Sequence, residues 1–128
     1  MENEDVNSKE LKEVPDYNKE LKKLNKIFKN ISKDKKDLVQ KLIKSAAFMT
    51  VELTKLENHI SIHGVSETYQ NGENQSGKKM STEASAYNTM IKNYTSIIKQ
   101  LTELLPEGLP NTKEGNALMN FATKPKGR

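Results

Sequence analysis

VQKLIKSAAFMTVELTKLENHISIH, residues 39–63, is the stretch that decides how this chain folds. Val39, Leu42, Ala46, Met49, Leu53, Leu56, Ile60 and His63 follow one another at steps of three and four. That is a heptad seam, and no glycine or proline interrupts it. Working back, Ser32 is a candidate N-cap, and Asp34 and Asp37 sit in the first turns, where the helix dipole favours acids. Working forward, Gly64 stands where a left-handed residue ends a helix. The reading is one helix over 33–63, a rod of roughly 45 Å.

A second seam lies downstream. In ASAYNTMIKNYTSIIKQLTELL, residues 84–105, the side chains Ala84, Tyr87, Ile91, Tyr94, Ile98, Leu101 and Leu105 keep the same spacing. Pro106 and the Gly108-Leu109-Pro110 segment stop this helix. Between the two helices, residues 65–83 hold short strand-tolerant runs around Asn71-Gly72, a good turn dipeptide, and predict a β-hairpin. Two long helices so joined fold back antiparallel and bury their seams on each other.

Upstream, Val14-Pro15 breaks the chain and Asp16 can cap a shorter helix. Its stripe is Tyr17, Leu21, Leu24, Ile27, Phe28 and Ile31. The fold class is therefore mainly α: a short basic N-terminal helix, then two long antiparallel helices joined by a β-hairpin. Residues 1–16 read as a disordered acidic head, 17–110 as the helical domain and 111–128 as a flexible tail.

Composition narrows the function. Only 34% of the 128 residues are apolar, and mean hydropathy is −0.81. An ordinary globular domain holds about 45–50% apolar residues, so a large self-contained core is not expected. Phe48, Val51, Ile97 and Leu104 lie off the seams and widen the apolar faces beyond what a two-helix hairpin covers, which points to contacts between subunits. There is no cysteine, so disulfides, thiolate metal sites and cysteine nucleophiles are excluded. No run of about 18 apolar residues offers a membrane span. The acidic start, Met1-Glu2-Asn3-Glu4-Asp5, is the reverse of a signal peptide. These features predict a cytoplasmic protein without a membrane partner.

No convergent set of polar groups points to catalysis, and no cofactor is expected. His59 and His63 share a helix face, but the zinc-protease pattern is absent; a role near the helix C-terminus is the better reading than a metal site.

Charge is segregated. Net charge is +4, but residues 1–16 carry −4, residues 17–44 carry +7, residues 45–111 carry −2 and residues 112–128 carry +3. In the basic segment Lys19, Lys22, Lys23, Lys26, Lys29, Lys33, Lys35 and Lys36 are candidate phosphate contacts, with Lys41 and Lys44 following. Arg128 is the only arginine, so bidentate guanine reading is not indicated. The alternative is a set of lysines that only keeps the helix faces solvated. In the tail, Leu118, Met119 and Phe121 form an apolar cluster beside Lys124, Lys126 and Arg128. This cluster either docks on a partner or tucks back onto a neighbouring helix.

The run from Lys33 to Pro110 resembles the small terminase subunits of tailed bacteriophages, most closely those of phages of low-GC Gram-positive hosts. The likeness rests on His63-Gly64-Val65, on Tyr69-Gln70-Asn71-Gly72 through Lys78-Lys79-Met80, on Ala84-Ser85-Ala86-Tyr87-Asn88 and on Ile97 to Pro106. The Asn-Pro common after the hairpin in that group is replaced by Glu83-Ala84, and the later arginine is missing. The resemblance implies a non-enzymatic subunit that forms a closed homo-oligomeric ring in the host cytoplasm. It further implies binding to double-stranded viral DNA and recruitment of the large terminase subunit, which carries ATPase and nuclease. The tail cluster would then dock on that large subunit. Two other readings stay open from the residues: a dimeric DNA-binding regulator, and a coiled-coil structural or scaffolding protein without nucleic acid.

Overall fold

The computed structural model describes residues 11–105 and 113–123. Its elements run α1 (Tyr17–Ile27), α2 (Lys33–His63), β1 (Ser66–Gln70), β2 (Ser76–Met80), α3 (Thr82–Leu104) and α4 (Lys113–Thr123). The expected order of a short helix, a long helix, a hairpin and a second long helix is present.

Local chemistry sets the boundaries. Asp16 Oδ2 accepts from the Lys19 backbone N–H at 3.0 Å, which satisfies one free amide at the start of α1. Ser32 is the N-cap of α2 but makes no capping bond with its side chain. Its hydroxyl is instead the largest cause holding the Asp34 carboxyl below the ordinary carboxylate value. α2 ends at Gly64, whose φ of 79° is a left-handed value that side-chain-bearing residues rarely adopt. α3 starts from Ser81, whose Oγ accepts from the Ala84 N–H at 3.0 Å. Glu67 in β1 adds a second acceptor, since its Oε1 takes the Thr82 N–H at 3.0 Å. One strand residue thus ties the hairpin to the helix that follows it.

The hairpin is antiparallel, with Ser66 opposite Met80 and Gln70 opposite Ser76. Apart from Gly77, every strand residue is exposed. The Tyr69 ring lies across Gly77, where an added Cβ would come within 3.2 Å of it.

α2 and α3 pack antiparallel. Tyr87 Oη donates to Glu57 Oε2 at 3.1 Å near the hairpin, and further down the rod Tyr94 meets Thr50. α1 packs on α2, and α4 packs on α1 and α3. The core holds Leu24 of α1 and Phe28 at its C-cap, Val39, Ile43, Ala46 and Ala47 of α2, Leu101 of α3, and Leu118 and Phe121 of α4. Burying each large side chain contributes roughly 1.5–3 kcal/mol relative to leaving it in water.

Two expectations are corrected. First, the buried face of α2 is turned from the heptad seam. Val39, Ala46 and Leu53 of the seam are buried as expected, but so are Ile43, Ala47, Thr50 and Thr54 beside it, while Leu42, Met49, Leu56 and Ile60 are half-buried. α1 claims the flank carrying Ile43 and Ala47, which shifts the centre of the core toward it. The two threonines tolerate burial because their hydroxyls donate to Ala46 O and Thr50 O, each at 2.9 Å. Second, the tail is not all outside the helical body. Residues 113–123 form α4, with Leu118 fully buried and Phe121 nearly so. Residues 111–112 and 124–128 of that tail lie outside the described residues. So do residues 1–10 of the acidic head. Residues 11–16 are neither helix nor strand, yet they are held: the Lys12 N–H donates to Asn58 Oδ1 at 2.8 Å, Asn58 Nδ2 returns a bond to Lys12 O at 2.9 Å, and Lys12 Nζ pairs with Glu57 at 2.8 Å.

Candidate nucleic-acid interface

The basic segment folds as two helices joined by polar as well as apolar contacts. On α1 the inward residues are Glu20, Leu24 and, at the C-cap, Phe28. Lys19, Lys22 and Lys26, with Lys29 just past the helix end, step by three and four along the opposite side, and all four are exposed. Lys23 lies on the flank, where its Nζ pairs with the buried Glu20 at 3.1 Å. This lysine is therefore partly neutralised within the chain.

Gln40 Nε2 of α2 donates to Asn25 Oδ1 of α1 at 2.7 Å. This hydrogen bond marks the middle of the patch. Lys22 and Lys29 stand three residues before and four after Asn25; Lys36 and Lys44 stand four before and four after Gln40. Helical spacing places each of these lysines one turn from the bond, and all four are exposed. Lys33, also exposed, extends the patch to the start of α2, whereas Lys35, exposed too, stands two residues on and so lies toward the other flank of the helix. Asp34 and Asp37 are the acids interspersed there. All eight lysines singled out from the sequence are thus at the surface, on two adjoining helices. The Asn25–Gln40 bond itself has no sequence signature, because two amides fifteen positions apart show no pairing until the helices are docked.

Such a surface can hold phosphates in sequence-independent fashion through lysine charge. Among the described residues, no three or more His, Asp or Glu side chains are grouped to hold a metal ion. The His59 and His63 rings lie 4.4 Å apart and tilted by 40°, with His59 Nε2 4.0 Å from Glu83 Oε2. The pair sits at the last turns of α2, beside the hairpin and far along the rod from the lysine patch. No helix of the described residues is long and apolar enough to cross a membrane.

The other residues singled out from the sequence divide. Phe48 is 53% exposed and Val51 half-buried. Ile97 and Leu104 are half-buried and pack against the core, so they are margins of the fold as much as free surface. Leu118 and Phe121 are core residues, which removes them as exposed partner anchors; Met119, between them in sequence, is 50% exposed. An open groove that the sequence did not reveal lies between α2 and α3, lined by Met49, Met80, Ser85, Ala86, Thr89, Met90 and Asn93 among others. Small polar residues beside methionines carry no periodic signal that would have exposed it.

No family model matches the chain, and neither a curated protein nor a solved structure matches it at a significant level.

Proposed function

We propose that this chain is a small terminase subunit: a non-enzymatic, homo-oligomeric component that binds double-stranded viral DNA and recruits and regulates the large terminase subunit during genome packaging. The observation that carries the DNA part is the lysine surface around the Asn25–Gln40 bond, where two adjoining helices present exposed cations. The resemblance of residues 33–110 to small terminase subunits supplies the biological setting. Oligomerisation is supported by a sparse apolar content and by exposed Phe48 beside half-buried Val51. The lysine surface favours this reading over a coiled-coil scaffold without nucleic acid.

The test is a duplex-DNA titration by fluorescence anisotropy over a series of salt concentrations, with light scattering on the same sample. Engagement of roughly five to eight phosphates gives a plot of log affinity against log salt with a slope of about −4 to −7. Absence of binding at low salt removes the DNA role. A dimer that binds DNA favours a regulator. Co-purification with a large terminase subunit, and a change in its ATPase rate, tests the recruiting role.

A further inference from the structure

We infer that the outer stripe of α2 in one copy of the chain, built on Phe48, Val51 and Ile62, seats in the α2–α3 groove of a neighbouring copy. This rests on the oligomeric reading above and names the two surfaces that meet.

The stripe is a set of apolar side chains without a place in the core of their own chain. Phe48 is 53% exposed and Ile62 45% exposed, and Val51 between them is half-buried. Phe48, Val51, Lys55 and Ile62 follow at steps of three, four and seven, so they share one face of the helix. Three large apolar residues aligned on one exposed face are a contact surface rather than isolated exceptions.

The groove is a separate surface. Ala47, in the core cluster with Leu24 and Phe28, and Met49 are two residues apart, hence on opposite flanks of α2. Met49 therefore borders the side of the α2–α3 pair that α1 leaves open. From there the groove runs past Met90, Thr89 and Ala86 to Thr82 and Met80 at the base of the hairpin, with a volume of about 660 Å³. Small residues on α3 let another helix come close, and methionines adapt their shape to what enters.

Stripe and groove match in three respects. Their lengths agree: Phe48 to Ile62 rises about 21 Å, and Thr82 to Asn93 about 16 Å. Their charges oppose: the stripe carries Lys55 and is preceded one turn earlier by Lys44 and then by Lys41, while Glu83, beside Thr82, edges the groove. Glu52, one turn from Phe48, already pairs with Lys55 within the chain at 3.2 Å, so Lys41 and Lys44 carry the positive charge presented to the neighbour. Their heights coincide: Phe48 and Met49 are consecutive, so knob and groove begin at the same level along the rod. A contact between two different patches repeats from copy to copy, and it closes a ring when the relating rotation carries little translation along its axis. Knob and groove at one height meet that condition, with neighbouring rods side by side.

The chain has no cysteine, which makes the contact directly testable. Phe48→Cys, Asn93→Cys and the double variant are treated with a short bismaleimide. The double variant should yield a ladder of covalent multimers, and neither single variant a species beyond a dimer. Independently, Phe48→Ser and Ala86→Arg, both at exposed positions, should weaken assembly about tenfold or more by light scattering, the loss typical of truncating an aromatic anchor or crowding its seat. Helicity by circular dichroism should be unchanged. A wild-type chain that is monomeric at micromolar concentration overturns the oligomeric reading itself. An oligomer that persists in Phe48→Ser and Ala86→Arg, with no ladder from the double variant, overturns this contact alone. Weakened DNA binding by Phe48→Ser at unchanged oligomer size also overturns it, and assigns the stripe to nucleic acid.

Discussion

Gln40 Nε2 donates to Asn25 Oδ1 at 2.7 Å, and this bond joins the two helices that carry the lysine surface. Both amides are half-buried, so water replaces a lost partner only in part. Gln40→Ala should cost about 1 kcal/mol of stability by denaturant titration. It should also lower duplex affinity although no charge is removed, because α1 and its lysines lose a constraint on their position. Unchanged affinity in a destabilised Gln40→Ala protein would show that the patch does not depend on this bond.

The lysines themselves should behave as point charges. Replacing Lys22, Lys29 or Lys36 singly with Gln should weaken binding to all duplex sequences alike and reduce the salt slope by about 1. Lys23→Gln should do less, since Glu20 already holds that ammonium at 3.1 Å. Lys92→Gln, on α3 and outside the basic segment, serves as the control. A slope that stays at the wild-type value in all three patch variants would remove these residues from the interface.

Much of the fold was legible because the signals were local. Asp16 caps α1, Gly64 ends α2, and Asn71-Gly72 turns the hairpin, each as its residue type dictates. The lysine face was equally legible, because charge and helical spacing are read directly. What the sequence hid depends on how helices dock. The burial of Thr50 and Thr54 follows from α1 settling on one flank of α2, and a threonine gives no notice of a buried role. α4 was hidden for a different reason: Gly115, Asn116 and Asn120 give it a poor intrinsic helix propensity. Its helical state is coupled to docking through Leu118 and Phe121. Nothing in the sequence ties Lys12 to the helices, and only the folded chain places it beside Glu57 and Asn58.

That docking makes α4 a structural element with measurable consequences. Leu118→Ala should cost about 2–5 kcal/mol and Phe121→Ala about 3–5 kcal/mol, the range for emptying a packed core. Met119→Ala, at a half-exposed position, should stay within about 0.5 kcal/mol. Truncation after Asn111 should lower the melting temperature for the same reason, since it exposes the α1 and α3 surfaces that α4 covers. A truncated chain that melts with the full-length protein would instead return the tail to the role of a separable partner-binding segment.

Tyr94 gives the fold a dependence on alkaline pH. Burial raises its phenol above the ordinary value of 10.0; a hydrogen bond with Thr50 opposes this in part, and the negative charge of Glu20 adds to it. In the unfolded chain the phenol ionises near its ordinary value, whereas in the folded chain it keeps its proton to higher pH. Between these two values the folded state binds more protons, so stability falls as pH rises. The contribution is fully present below about pH 10 and is lost progressively above it. Tyr94→Phe removes the titrating group while keeping the ring in the seam. At neutral pH its stability should stay within about 1 kcal/mol of the wild type, and it should then decline less steeply above pH 10. Lysines titrate in the same range in both proteins, so the comparison rests on the difference between the two curves. Parallel curves from pH 8 to 11, measured by urea denaturation, would show that the Tyr94 phenol ionises alike in both states.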